Sequence, residues 1–377
     1  MRQRFICPPD DLVSGMDSVS VFQFGSISRR LRERTDQKRD FSIIHNDNMF
    51  RAGFSNAPVF ESDYAEITDY LNHLSQSCEG LSFEEVFPGT VIDTDDGPAY
   101  DVVTRIPVNY PVFTREVVVS RILSCLTLVR GIGRATEHSL RMRGCRSVRD
   151  LLHSRRYGDQ AANIIRIAES GSAAEVSCLL SGWLPPSHPL MLLGSSLHDT
   201  GRVVFLDLET LGFFNRPVIL IGIGMIQKDL LEVHQIVLRD IDEEPAALAA
   251  ARSYLNADSV LMSYNGKAFD IPYLRERYAY YGERPPLTPV HYDLLHFARR
   301  QYRCRMPDCR LSTLEKHLFS VERGTDVPSA MVPECYERYR STGNAGVIVP
   351  VIAHNLQDII SLAMLAGHLI GGAYDHC

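Results

Sequence analysis

The sequence predicts an α/β protein: a mixed sheet flanked by helices, preceded by a β-hairpin segment and a small helical region. Three observations carry this. Val203–Leu206 and Val218–Ile226 are apolar runs of strand length, and Leu230–Leu238, rich in Val, Ile and Leu, reads as a further strand. The last two are joined only by Gln227-Lys228-Asp229, so the three runs form a meander. Strand and helix signals then alternate up to a long apolar helix over 351–370.

The chain has 377 residues, enough for two domains and a small third. Hydrophobic residues make up 45% and charged residues 23%, which places it among ordinary globular proteins. Nine cysteines, an odd number without a CxxC pair, argue for reduced thiols rather than a disulfide framework. Cys304, Cys309 and Cys335 are too irregularly spaced for a zinc site. The N-terminus has no apolar signal core, and the longest uninterrupted apolar run, 218–226, is too short for a bilayer. These features lead us to expect a cytoplasmic protein with no membrane partner.

From the N-terminus, residues 1–115 read as a segment with one helix and one hairpin. Ser28 to Asp40 is dense in charge, a solvated helix face or an arm touching phosphate. Glu61 to Ser77 has helical spacing. Val91–Ile92, the turn Asp95-Asp96-Gly97 and Tyr100–Val108 predict a hairpin. Residues 116–199 form a helical region and linker. Gly182, Pro185-Pro186, Pro189 and Gly194 mark the linker, and a boundary is expected near 200. Residues 200–377 form the sheet-bearing domain.

Within the helical region, Arg130-Gly131-Ile132-Gly133-Arg134 is a glycine turn that opens a helix. Glycine allows a tight turn and close approach to phosphate, and a helix N-terminus favours an anion. Residues 121–166 hold ten Arg, no Lys and three acids, a net of +7 in a chain of −7. A basic module in an acidic protein suits sequence-independent contact with a nucleic-acid backbone. The plain alternative is a connector with solvated arginines.

The chemistry is expected at three blocks. Asp207 and Glu209 close the first strand; at i and i+2 they share one face. Asp270 follows Asn265-Gly266-Lys267-Ala268-Phe269 and precedes a helix. His354 and Asp358, at i and i+4, share a helical face. Taken singly, these read as a strand entering a polar turn, a helix N-cap and a capping or core histidine. Asp293 reads equally as an N-cap or an outer ligand, and Glu315 as structural.

Together the blocks resemble the DEDD exonuclease superfamily: Asp207-x-Glu209, Asn265-x-x-x-Phe269-Asp270 and His354-x-x-x-Asp358 match its three motifs in order. Residues 200–370, with Cys309-Arg310-Leu311-Ser312-Thr313-Leu314-Glu315 and His354-Asn355, are similar to the YprB-like branch of ribonuclease H-like nucleases. The 126–152 stretch resembles a helix-hairpin-helix DNA-binding motif. The resemblance implies a ribonuclease H-like sheet and a 3′→5′ exonuclease acting on DNA in repair or processing. It implies two Mg²⁺ or Mn²⁺ ions about 4 Å apart, held by Asp207, Glu209, Asp270 and Asp358. His354 is then the general base. Superfamily histidines usually stand four residues from the last Asp, and tyrosine occupies the three-residue spacing; here histidine has the tyrosine spacing. Asn265 and Phe269 are expected to position the terminal nucleotide, Lys267 to meet phosphate, and Asn355 to hold water or backbone near His354. Arg130, Gly131, Gly133 and Arg134 would bind the DNA backbone. The expected partners are single-stranded DNA or a duplex 3′ end, with RNA as the alternative substrate and a helicase as a candidate supplier. A non-catalytic nucleic-acid-binding module is the other class of function.

Overall fold

The structure is a computed structural model and describes residues 41–44, 57–212, 215–286, 290–324 and 327–376. The charge-dense run 28–40 lies outside the described residues. Strands β1 (Phe41–Ile44) and β2 (Ala57–Phe60) pair in parallel, and helix α1 (Glu61–Ser77) follows them directly.

The main sheet has seven strands in the order β3-β4-β7-β6-β5-β8-β9. The meander is as expected: β5 (Val203–Thr210), β6 (Val218–Gln227) and β7 (Leu230–Val237) run antiparallel. β8 (Val260–Ser263) and β9 (Val290–Asp293) extend the sheet in parallel beyond β5. The early hairpin, β3 (Thr90–Thr94) and β4 (Gly97–Pro107), joins the same sheet. β4 pairs with β7 from Tyr100↔Val237 to Pro107↔Leu230. β7 thus has a neighbour on both sides, and its edge is covered.

Two helices sandwich the centre of the sheet. Alternate residues of a strand face opposite sides. On β7, Gln235 meets the last helix, α11 (Val349–His376), while His234 meets Tyr254 at the end of α7 (Glu244–Tyr254). The approach of α11 depends on Gly222 and Gly224 of β6. A Cβ at Gly222 would collide with the Asn355 carboxamide, and one at Gly224 with Ile359. By length and composition 345–373 is long and apolar enough to cross a membrane, yet most of its apolar stretch is buried within the fold. Its role as core helix accounts for that composition.

Between hairpin and meander lie α2 (Arg115–Leu123), α3 (Arg134–Met142), α4 (Gly158–Ser170), α5 (Ala173–Ser181) and α6 (Pro189–Ser195). The last replaces part of the expected linker. Pro189 is tolerated in the first turn, and His188 accepts the Leu190 N–H as cap. Leu190, Leu192 and Leu193 are buried, and their cluster continues into Val203, Phe205 and α11. The apolar core is therefore continuous across residue 200.

The C-terminal half continues with α8 (Asp270–Tyr280), α9 (Leu294–Tyr302) and α10 (Val332–Thr342). Instead of a regular helix over 311–318, one turn at Leu311–Leu314 widens into a π-turn at Glu315–Phe319. It ends at Ser320 in the left-handed region (φ 56°).

Candidate active site

The acid cluster forms at the end of β5. Asp207 and Glu209 lie on one face of the strand, and a bulge after Glu209 bends it there. Asp270 begins α8, and its carboxylate accepts a backbone hydrogen bond from Leu208, between the two β5 acids. Asp358 arrives from α11. Burial raises the Asp207 carboxyl well above the ordinary range, and repulsion from Asp358, Glu209 and Asp270 adds to it. Three sequence-distant blocks therefore meet at one place. Asp270 is pushed up to about 7, first by burial and then by Asp293 and Asp358. Burial also raises Asp358, against the opposing pull of His354 and Arg323. Acids crowded in this way hold protons unless a cation replaces them.

Asp207 is fixed from behind. Asn355, fully buried, donates to its Oδ2 at 2.8 Å and its carbonyl at 3.3 Å. Gln235, on the opposite side of Gly222, donates to Asn355 Oδ1 at 3.1 Å and to the Ile352 carbonyl at 2.8 Å. The chain Gln235–Asn355–Asp207 orients one Asp207 oxygen through a network of buried amides. Asn355 thus acts on Asp207 itself.

The residue that sequence reasoning missed is Arg323. Its guanidinium grips Glu315 through Nε at 2.8 Å and Nη2 at 2.6 Å. The same Nη2 donates to Asp358 Oδ1, and Nη1 lies 3.3 Å from His354 Nδ1. A guanidinium can only donate, so this contact uses Nδ1 as acceptor when the ring is neutral, its proton then being on Nε2. That nitrogen stands 3.5 Å from Asp358 Oδ2. Both ring nitrogens face charged groups, so service as a base requires His354 Nδ1 to leave Arg323. Glu315 is structural in a specific sense: it is 1% exposed and anchors this arginine. Arg323 stands outside any periodic element, which hid it from pattern analysis. Gln235 was detectable as a polar residue within a buried strand.

Asp293 caps α9 through the Leu295 N–H at 3.2 Å. It also accepts from the backbone N–H groups of Asn265 at 2.8 Å and Lys267 at 3.1 Å. It therefore shapes the 265–267 turn, where Asn265 adopts φ 64°. Asn265 and Lys267 are exposed on that turn. The Phe269 ring is half-buried, 5.4 Å from Tyr273. Under the turn, Ser263 Oγ and His291 Nε2 are 2.7 Å apart. Burial and Lys267 hold His291 down at about 4.

Among the described residues no three Asp, Glu, His or Cys side chains form a ready metal shell. The donor chemistry nevertheless suits a hard divalent cation: four carboxylates, mutually repelling and poorly hydrated. Arg323 provides positive charge at Asp358, the role such an ion would take.

Arg130, Gly131, Gly133 and Arg134 lie on the α2–α3 turn, with no hydrogen bond or ion pair to the acid cluster among the described residues. Gly131 adopts φ 89°, Ile132 is buried, and both arginines are exposed. The Arg130 N–H bonds Gln160 at 3.0 Å. Gly133 is the N-cap of α3 and provides no side-chain cap.

Residues 204–370 match a family model described as the RNase_H superfamily. The chain is 31% identical over 188 residues to "Uncharacterized protein YprB" of Bacillus subtilis (strain 168). That match covers 48% of this chain and 45% of the relative, so the chain spans less than half of that protein's length. With the mixed sheet, the central meander and the acids on its first strand, the segment 204–370 has the ribonuclease H-like α/β fold.

Proposed function

We propose that this chain is a divalent-metal-dependent nuclease of the DEDD type, a 3′→5′ exonuclease acting on DNA in repair or processing. The observation that carries this is the meeting of Asp207, Glu209, Asp270 and Asp358 at one end of β5, with Asp207 destabilised as an anion by burial first and then by the other acids. A carboxylate set of this kind serves phosphodiester hydrolysis by holding Mg²⁺ or Mn²⁺. When bound, the metal supplies an activated water and neutralises charge on the departing oxygen.

The remaining work falls to the chain's own groups. Asn355 and Gln235 keep Asp207 aimed at the cluster. Asn265 and Phe269 receive the terminal nucleotide, and Lys267 meets its phosphate. His354 accepts a proton once its Nδ1 is released from Arg323. Arg130, Gly131, Gly133 and Arg134 form the turn of a helix-hairpin-helix module that holds the DNA backbone without reading sequence. We take residues 1–115, 116–199 and 200–377 as leading segment, binding region and nuclease domain, the leading segment lending its β3–β4 hairpin to the nuclease sheet, with a helicase as a candidate source of single strands.

End-labelled single- and double-stranded DNA and RNA, incubated with Mg²⁺ or Mn²⁺, test this. Shortening from the 3′ end is expected on DNA, with none in Asp207→Asn. Full activity in that variant rules out the site. Shortening from the 5′ end rules out the polarity, and preference for RNA rules out the substrate.

A further inference from the structure

The fold carries a second concentration of positive charge, distinct from the 121–166 module. Residues 299–310 contain Arg299, Arg300, Arg303, Arg305 and Arg310 against one acid, Asp308, a net of +4. All five arginines are exposed. Only Arg310 has a carboxylate nearby, Asp308 at 3.9 Å; among the described residues the other four have no ion-pair partner. Arg299 and Arg300 occupy the last turn of α9, where the helix dipole favours cations. That effect reaches Arg303, the C-cap, but fades beyond it and does not account for Arg305.

This segment is tied to the neighbourhood of the acid site through α9 and at its own end. The helix α9, whose last turn carries Arg299 and Arg300, is capped at its opposite end by Asp293, which also shapes the Asn265–Lys267 turn. At its end, the Cys309 carbonyl accepts a hydrogen bond from Tyr264, the residue before Asn265. The chain then passes directly to Glu315, the anchor of Arg323. Arg300 and Arg305 also rim a cleft of about 390 Å³ whose wall includes Leu192, Phe297 and Leu369.

We propose that the 299–310 segment is a second contact surface for the nucleic-acid backbone, carrying the strand whose end is processed at the acid cluster. This rests on the nuclease reading and adds to it the surface that holds the body of the substrate. Arginine forks suit phosphate oxygens. An unpaired arginine surface on a chain of net −7 gains most from a polyanion.

The test uses the full chain, a fluorescent 20-mer single strand and EDTA, with anisotropy followed from 50 to 200 mM salt. The variant Arg299→Gln/Arg300→Gln/Arg303→Gln/Arg305→Gln should bind at least about tenfold more weakly at low salt. The slope of log affinity against log salt should fall by roughly two to three, at about 0.7 per lost phosphate contact. Arg303→Glu/Arg305→Glu, which leaves α9 unaltered, should show the same direction if the quadruple variant fails to fold. Hydrolysis of a dinucleotide, which has no strand body to hold, should be unchanged in both. Unchanged affinity and slope overturn the proposal. So does loss of binding to phosphatidylserine vesicles alone, which assigns the arginines to a membrane surface. If wild-type protein hydrolyses nothing, the nuclease reading falls, whereas the salt slopes still decide whether this surface binds a strand.

Discussion

Arg323 holds Asp358 while remaining anchored on Glu315, so one guanidinium links the acid cluster to a buried carboxylate. Letting go of Asp358 does not leave Arg323 unpaired, because the two-point grip on Glu315 remains. Under the proposed nuclease reading, a divalent cation arriving at Asp358 would compete with a cation that has somewhere to go. In Arg323→Met/Glu315→Gln, Mn²⁺ should bind several-fold more tightly, read from free Mn²⁺ by electron paramagnetic resonance. Weaker binding in the double variant contradicts this. Arg323→Met alone should cost about 3–5 kcal/mol in denaturant melts, because Glu315 is left buried and unpaired.

Gly222 can be tested by adding a single methyl group. In Gly222→Ala the new Cβ meets the Asn355 carboxamide, which must turn away and release Asp207. We expect stability to fall by about 1–3 kcal/mol and hydrolysis to fall about 10²-fold, with Asn355→Ala giving a loss of similar size. Stability and kinetics measured together check this; full activity in both variants removes Asn355 from the site.

The buried pair Arg277–Glu244 ties α8 to α7, with side chains 1% and 0% exposed. Glu244 also accepts from the Val218 N–H and the Tyr281 hydroxyl. Arg277→Met should destabilise by about 3–5 kcal/mol, and Arg277→Met/Glu244→Gln by less, since no charge is left alone. Denaturant melts of both variants give the comparison.

His234 should make stability depend on pH. It faces Asp101 of β4 at 2.7 Å, Glu232 of β7 at 3.2 Å and Tyr254 of α7 at 3.2 Å, and Arg105 in turn pairs with Glu232. Burial lowers its pKa, but the two carboxylates outweigh burial and the net direction is upward from 6.5. A group raised on folding stabilises fully below its unfolded pKa and loses that contribution as pH climbs through the folded value. The wild-type melting temperature should therefore drop more between pH 6 and pH 9 than that of His234→Gln. Parallel pH profiles for the two proteins exclude this role.

Much of the architecture was legible because it rests on local patterns. The β5–β7 meander follows from apolar runs and a short turn, and α1 from helical spacing. The pairs Asp207/Glu209 and His354/Asp358 each share a face because strand and helix periods dictate it. Pro189 misled the reading of 182–200, since a proline that ends one helix also suits the first turn of another.

The sequence alone determined the β5–β7 meander, helix α1 and the long last helix, and which acids the meander and the last helix carry. The tertiary structure alone decided that the hairpin completes the sheet beside β7, that Asn355, held by Gln235, reaches Asp207 over Gly222, and that Arg323 reaches Asp358 from outside any regular element. Periodicity reports which way a side chain points within its own element. Which distant group it meets depends on how elements close on one another, and no local pattern records that.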